Sequence, residues 1–260
     1  MDWIDANGVS LRYDLSGSGK EAVILIHELG GGIESFDEVM PAFQREFRIL
    51  RWDQRGFGIS EKTRVITMDN ILADLVGLLD ALGIEGACHA AGTAMGAIIA
   101  IAYAARHPRR VKRLAIASPP AGVNDAIVAQ REERDAAIRQ GGMRAAAETS
   151  LARSYPQALR GNAARFNRYR NRWIASDPEG YIAGNEMTVK MDPTGDFAKI
   201  TAPTLVIGCT HDPIRPPTGS KKAAEAIKGA RYIEVESGHF MAVETPELFV
   251  KHVVPFFKGA

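Results

Sequence analysis

Residues 88–106 read CHAAGTAMGAIIAIAYAAR, and their reading decides the fold. A short apolar strand runs in from the left, over Gly86–Ala91, and a helix of small residues runs out to the right, over Met95–His107. Gly92 and Gly96 bracket the turn between them. A sharp strand-to-helix turn lifts its apex side chain clear of a sheet, and its crowding admits only very small neighbours. A reactive hydroxyl is what such a turn usually presents, yet the apex here is Ala94.

Outward from this turn the chain alternates regularly. Trp3–Asp5 and Ser10–Leu15 read as strands joined by the hairpin signal Asn7-Gly8. Ala22–His27 is a continuous apolar run of the kind buried on both faces of a sheet. A helix over Ser35–Phe47, a strand over Phe47–Trp52 and a helix over Asp69–Leu82 precede the turn. Strands over Arg113–Ser118, Pro203–Gly208 and Arg231–Val235 follow it, with helices over Gly219–Lys228 and from Pro246. Strands alternating with helices predict an α/β fold, a mostly parallel, doubly wound sheet covered on both faces.

A length of 260 residues with 46% hydrophobic residues suits one α/β core carrying an insertion. Net charge of +1 argues against nucleic acid and acidic membrane as partners, so a small molecule is the expected ligand. The N-terminal MDWIDANG has no secretion-signal pattern, and the longest apolar stretch, Ala97–Ala105, is too short to span a bilayer. Cys88 and Cys209 sit in apolar runs without metal spacing and read as buried hydrophobes, so neither a metal nor a disulfide is expected. These features predict a cytoplasmic protein; its oligomeric state is left open.

The composition shifts once. Residues 119–199 are rich in Ala and Arg, show no strand pattern and read as several short helices, a cap over the sheet's carboxyl edge. The core is then residues 1–118 and 200–260. Arg153 to Trp173 holds six arginines and no acid. They read as a solvated helix face; the alternative turns one or two inward to hold a substrate carboxylate.

Gly92-Thr93-Ala94-Met95-Gly96 matches the G-x-S-x-G motif of the α/β-hydrolase family, and the chain resembles that family over nearly its whole length. Within the family the phrases ILRWDQRGFGIS, GGMRAAAETSLARSYP, SDPEGYIAGNEMTVKMD and ITAPTLVIGCTHDPIRPP are similar to 3-oxoadipate enol-lactonases and their relatives. The resemblance puts Ala94 at the nucleophile's position, Asp212 of IGCTHDPIRPP at the acid's and His239 of VESGHFMAVETPELF at the base's. Their chain order is that of this fold. It implies an oxyanion hole from the N–H groups of Leu29 and Met95, an acyl-enzyme route and no cofactor. The oxyanion loop departs from the family: Glu28 in HELGGG is read as facing solvent, the alternative being a place in the substrate pocket. Trp173 is a further pocket candidate. Thr245 and Pro246 read as N-cap and first turn of the last helix. Asp53 and Arg55 should pin a turn beside the site, with Asp74 on a helix surface and His27 ordering the adjoining loop. His89, His107, His211 and His252 read as structural or solvated.

Ala94 leaves three readings open. The chain is a nucleophile-to-alanine form of a serine hydrolase that cleaves an ester, lactone or amide of a small, carboxylate-bearing metabolite. Or alanine is native and the protein is a small-molecule binder on a hydrolase scaffold. Or His239 and Asp212 run base chemistry with no covalent intermediate.

Overall fold

The structure is a computed structural model that describes residues 1–120, 122 and 125–260, the side chains of 125–127 and 190 apart. Its strands are β1 (Asp2–Ala6), β2 (Val9–Ser16), β3 (Ala22–Ile26), β4 (Arg48–Trp52), β5 (Cys88–Thr93), β6 (Val111–Ala117), β7 (Thr204–Cys209) and β8 (Arg231–Val235). They form one sheet in the order β1-β2-β4-β3-β5-β6-β7-β8. The first two pairings are antiparallel, Asn7-Gly8 closing the β1–β2 hairpin, and every pairing from β4 to β8 is parallel. The α/β class and the doubly wound sheet therefore hold.

Helices α1 (Met40–Phe43), α2 (Met68–Ala81), α3 (Met95–Arg106), α8 (Pro217–Ala226) and α10 (Pro246–Lys258) cover the sheet. Side chains alternate along each strand, so Ile24 and Ile26 enter the core beneath α2 and α3, while Val23 and Leu25 meet Phe36, Phe43 and Phe249 on the opposite face. Burial on both faces is why these strands carry unbroken apolar runs. The predicted helix over 35–47 is instead a 3₁₀ turn, Ile33–Phe36, followed by the single turn α1. Pro41 at the start of α1 cannot donate into a preceding turn, so the two pieces do not fuse.

Between β6 and β7 the described chain is helical: α4 (Asp125–Ser154), α5 (Ala163–Ile174), α6 (Pro178–Lys190) and α7 (Thr194–Phe197). Where several short helices were expected, α4 alone runs 30 residues, kinked at Gly142, whose φ of 70° breaks the helical path. Ile138, Leu151, Tyr169, Trp173 and Tyr181 from these helices pack with Ala94, Phe240 and Val243 of the core in a single apolar cluster. One further turn, α9 (Met241–Glu244), leads into α10. Among the described residues, no helix is long and apolar enough to cross a membrane.

Candidate active site

The chain order reverses between β3 and β5, which opens a crevice at their carboxyl ends. Ala94 occupies that edge, between β5 and α3, with φ 55° and ψ −112°. A non-glycine residue in that region is strained by about 1–3 kcal/mol, which the surrounding turn must impose. Crowding explains the flanking glycines: a Cβ at Gly92 would lie 2.2 Å from Gly96 O, and one at Gly96 only 2.0 Å from Ile26 O.

A cavity of about 350 Å³ opens at this edge, lined among others by Leu29, Ala94, Met95, Trp173, Tyr181 and His239. His239 Nδ1 lies 2.8 Å from Asp212 Oδ2, and both side chains are buried. The other oxygen, Asp212 Oδ1, accepts the backbone N–H of Ile214 at 2.9 Å and of Arg215 at 2.8 Å. Burial alone would raise the Asp212 carboxyl; the adjacent His239 and the Arg215 N–H outweigh it and hold it below the ordinary value. The carboxylate is thus ionised and fixed at both oxygens, so His239 presents Nε2 to the cavity. The resemblance pairs these two residues from loops 27 positions apart, and the structure places their side chains in contact.

The N–H groups of Leu29 and Met95 donate no hydrogen bond among the described residues, and both residues line the cavity. Met95 begins α3, where a helix leaves its first N–H groups unpaired. His27 orders the adjoining loop as expected: Nδ1 meets Glu28 O at 2.8 Å and Nε2 accepts Gln54 N–H at 3.1 Å. Asp53 pins the same loop by accepting Ile33 N–H at 2.8 Å and Ile59 N–H at 2.9 Å. Trp173 stands over this loop, its ring 2.9 Å from where a Cβ at Gly30 would be.

Three expectations need correcting. Glu28 faces neither solvent nor cavity: it is 1% exposed, absent from the cavity lining, and its Oε1 accepts the Ser35 hydroxyl at 2.8 Å. The turn closed by Gly31 N–H onto Glu28 O folds the side chain beneath the 3₁₀ segment. Asp74 is no surface acid but is 1% exposed, gripped by both Nε and Nη2 of Arg55 and by Asn7 Nδ2 at 2.9 Å. The 53–58 turn and the first hairpin reach over α2 and bury it. Thr245 and Pro246 do take the N-cap and first-turn positions of α10, but the Thr245 side chain caps no N–H there, its hydroxyl instead meeting Ser237 Oγ at 2.7 Å.

Cap arginines divide sharply. Arg165 and Arg168 bind Glu38, Arg170 binds Glu148, and Arg160 and Arg172 hold backbone carbonyls. Of the six, Arg153 alone lines the cavity, and it bonds Gln130. The guanidinium groups that face the cavity come mainly from elsewhere: Arg131 and Arg134 on α4, and Arg215 beside Asp212. Burial, then the charges of Arg215 and Arg134, push the Arg131 guanidinium down to about 10. Among the described residues Arg131 makes one hydrogen bond, to Thr188 Oγ1 at 3.2 Å; Nε and Nη2 of Arg134 are buried with no hydrogen-bond partner there, Nε lying 3.6 Å from Asp135 Oδ1. Among the described residues one acid, Glu133, shares the lining.

Glu244 carried no signal in the sequence and is fully buried one turn past His239. Burial and the charges of Asp212 and Glu28 push its carboxyl well above the ordinary value, against the pull of the Phe240 and Gly238 N–H groups. The folded protein therefore keeps this proton at pH values where the unfolded chain has lost it, and stability falls as pH rises through that window. Glu244→Gln removes the titration. Its stability relative to the parent is expected to rise as pH increases above the ordinary carboxylate range, read from urea midpoints; a difference flat with pH would contradict the assignment.

Residues 21–246 match the family model described as alpha/beta hydrolase fold. Pyrrolizixenacetamide deacetylase of Xenorhabdus hominickii is 26% identical over 96% of this chain and 95% of its own length. 3-Oxoadipate enol-lactonase 2 of Acinetobacter baylyi is 25% identical over 95% of this chain and 93% of its own. The crystal structure of the enol-lactonase from Burkholderia xenovorans superposes with a TM-score of 0.92 at 30% identity, covering 99% of this chain and 100% of that one. Sheet order, strained elbow and matched length agree, and the chain belongs to the α/β-hydrolase fold family.

Proposed function

We propose that this pocket is built to hydrolyse an ester, lactone or amide of a small carboxylate-bearing molecule through an acyl-enzyme. A hydroxyl at position 94 is required; the alanine form binds the substrate and stops before the first bond is made. The observation that carries this reading is the His239–Asp212 pair opening into the cavity at an elbow that keeps φ 55°. Relatives named as enol-lactonases and a deacetylase support acyl transfer. We take residues 119–199 as a cap on a core of 1–118 and 200–260, which suits the helical run between β6 and β7. Two free buried cysteines suit a reducing compartment, the cytoplasm.

In the serine form His239 Nε2 takes the hydroxyl proton as Oγ attacks the acyl carbon. Asp212 holds the ring's tautomer and stabilises the imidazolium. The oxyanion rests on the N–H groups of Leu29 and Met95, and His239 returns the proton to the leaving group. Water then repeats the sequence on the acyl-enzyme. The test is Ala94→Ser with activated esters and lactones, with and without His239.

The cavity's guanidinium groups support a carboxylate on the substrate. Burial disfavours the Arg131 charge, and Arg134 holds buried N–H groups with no hydrogen-bond acceptor among the described residues; a substrate anion would meet both through charge-assisted hydrogen bonds, worth about 1.5–3 kcal/mol each. Arg131→Met and Arg134→Met in the serine form are each expected to raise KM for p-nitrophenyl hydrogen glutarate by about 10- to 100-fold. KM for p-nitrophenyl butyrate should stay within about twofold. Equal losses on both esters would remove the carboxylate from the proposal.

A second reading rests on His239 Nε2, which has no hydrogen-bond partner among the described residues. In the alanine form it is placed to activate a water directly. Turnover by that form that disappears with His239→Gln would favour it.

A further inference from the structure

A buried carboxyl that the scheme above leaves unused sits directly behind the histidine. Glu244 ends α9, and its own N–H donates to Phe240 O at 3.0 Å. Its side chain folds back over the same turn, where Oε2 accepts the Phe240 N–H at 3.1 Å. Gly238 approaches from the other side, so closely that a Cβ there would stand 2.5 Å from Oε2 and 2.8 Å from Oε1. The backbone on both sides of His239 is therefore packed against one carboxyl. Asp212, Glu28, Tyr155 and Tyr169 lie near enough to interact with it electrostatically. The neighbouring cation, Arg165, spends Nη1 on the Glu244 backbone carbonyl at 3.0 Å. Glu244 Oε1 has no hydrogen-bond partner among the described residues.

An acid in this position is costly to bury, and an apolar side chain of equal size would fill the space without that cost. What an apolar group cannot do is accept the N–H beside His239. The loop 236–240 has no strand or helix to hold it, so its backbone depends on such contacts.

We propose that Glu244 is a positioning residue: by clasping the backbone on both sides of His239, its carboxyl fixes the imidazole against Asp212 and over residue 94. The proposal rests on His239 being the base of this site, and its primary test uses no substrate.

Three variants separate positioning from packing. Glu244→Gln keeps an acceptor oxygen for Phe240, Glu244→Met fills the same space with none, and Gly238→Ala drives a methyl into the carboxyl. The first readout is the far-downfield NMR resonance of the His239 Nδ1 proton shared with Asp212, assigned by its loss in His239→Gln. It should persist in Glu244→Gln and vanish in Glu244→Met and Gly238→Ala, with near-UV circular dichroism unchanged. In the Ala94→Ser background, kcat should fall by about 10- to 100-fold in Glu244→Met with KM little changed, and Gln should restore it. Survival of the resonance in folded Glu244→Met overturns the proposal, as does its equal loss in Glu244→Gln. If the Met variant does not fold, Gly238→Ala decides by the same signal. Because the resonance needs no turnover, it judges Glu244 even where serine at 94 hydrolyses nothing.

Discussion

Ala94→Ser is expected to raise kcat on activated esters and small lactones by about a million-fold over the alanine form, the usual scale for restoring a missing nucleophile. Nothing else has to move. The elbow already holds residue 94 at φ 55° and ψ −112°, so serine inherits the orientation from the backbone and pays no new strain. Among the described residues the N–H groups of Met95 and Leu29 donate no hydrogen bond, both residues line the cavity, and His239 is already held by Asp212. Thr93 does not substitute, since it belongs to β5, one position before the apex, and is 1% exposed. The measurement is burst and steady-state kinetics on a p-nitrophenyl ester series. A burst equal to enzyme concentration, abolished by His239→Ala, supports the acyl-enzyme. If serine brings neither burst nor turnover while the alanine form binds a small ligand tightly, the protein is a binder.

Asp212→Asn, made in the serine form, is expected to lower kcat by about ten-thousand-fold with KM nearly unchanged. Asparagine is the informative replacement because Oδ1 still accepts Ile214 and Arg215 N–H, so the loop after β7 keeps its shape. What changes is the atom facing His239 Nδ1. An amide nitrogen there donates instead of accepting, which turns the ring's proton to Nε2 and leaves no lone pair for the nucleophile. A stability effect runs in parallel. The Asp212 carboxyl is held below its ordinary value, so its contribution is complete at neutral pH and lost as pH falls through its folded value. Asp212→Asn should therefore flatten the acid limb of the unfolding curve. A loss of only a few-fold in kcat would show that His239 is oriented by something other than Asp212.

The fold was legible because its determinants are local. Apolar runs such as Ala22–His27, the Asn7-Gly8 turn and the small-residue face of α3 each state their own conformation, and alternation did the rest. The meeting of the loops that carry Asp212 and His239 was expected from the family resemblance and from their places after β7 and β8, since sheet topology brings the ends of neighbouring parallel strands together. Even the grip of Ile214 and Arg215 N–H on Asp212 is written locally, as an aspartate bonding backbone two and three residues on.

What the sequence did not carry is burial decided by distant partners. Asp74 looks like a surface acid until Arg55, 19 residues away, covers it. Glu28 looks solvent-facing until Ser35 folds it under. The run of six arginines drew attention to α5, yet five of them are spent on Glu38, Glu148 and backbone carbonyls, and the cavity's guanidinium groups come from α4 and the β7 loop. Glu244 gains its meaning only where Gly238 and Phe240 close around it. Periodicity and turn chemistry act within a few residues, so one chain suffices to read them. Whether a charge meets water, a partner or a substrate depends on which remote segment lies against it, and that is settled only when the chain is packed.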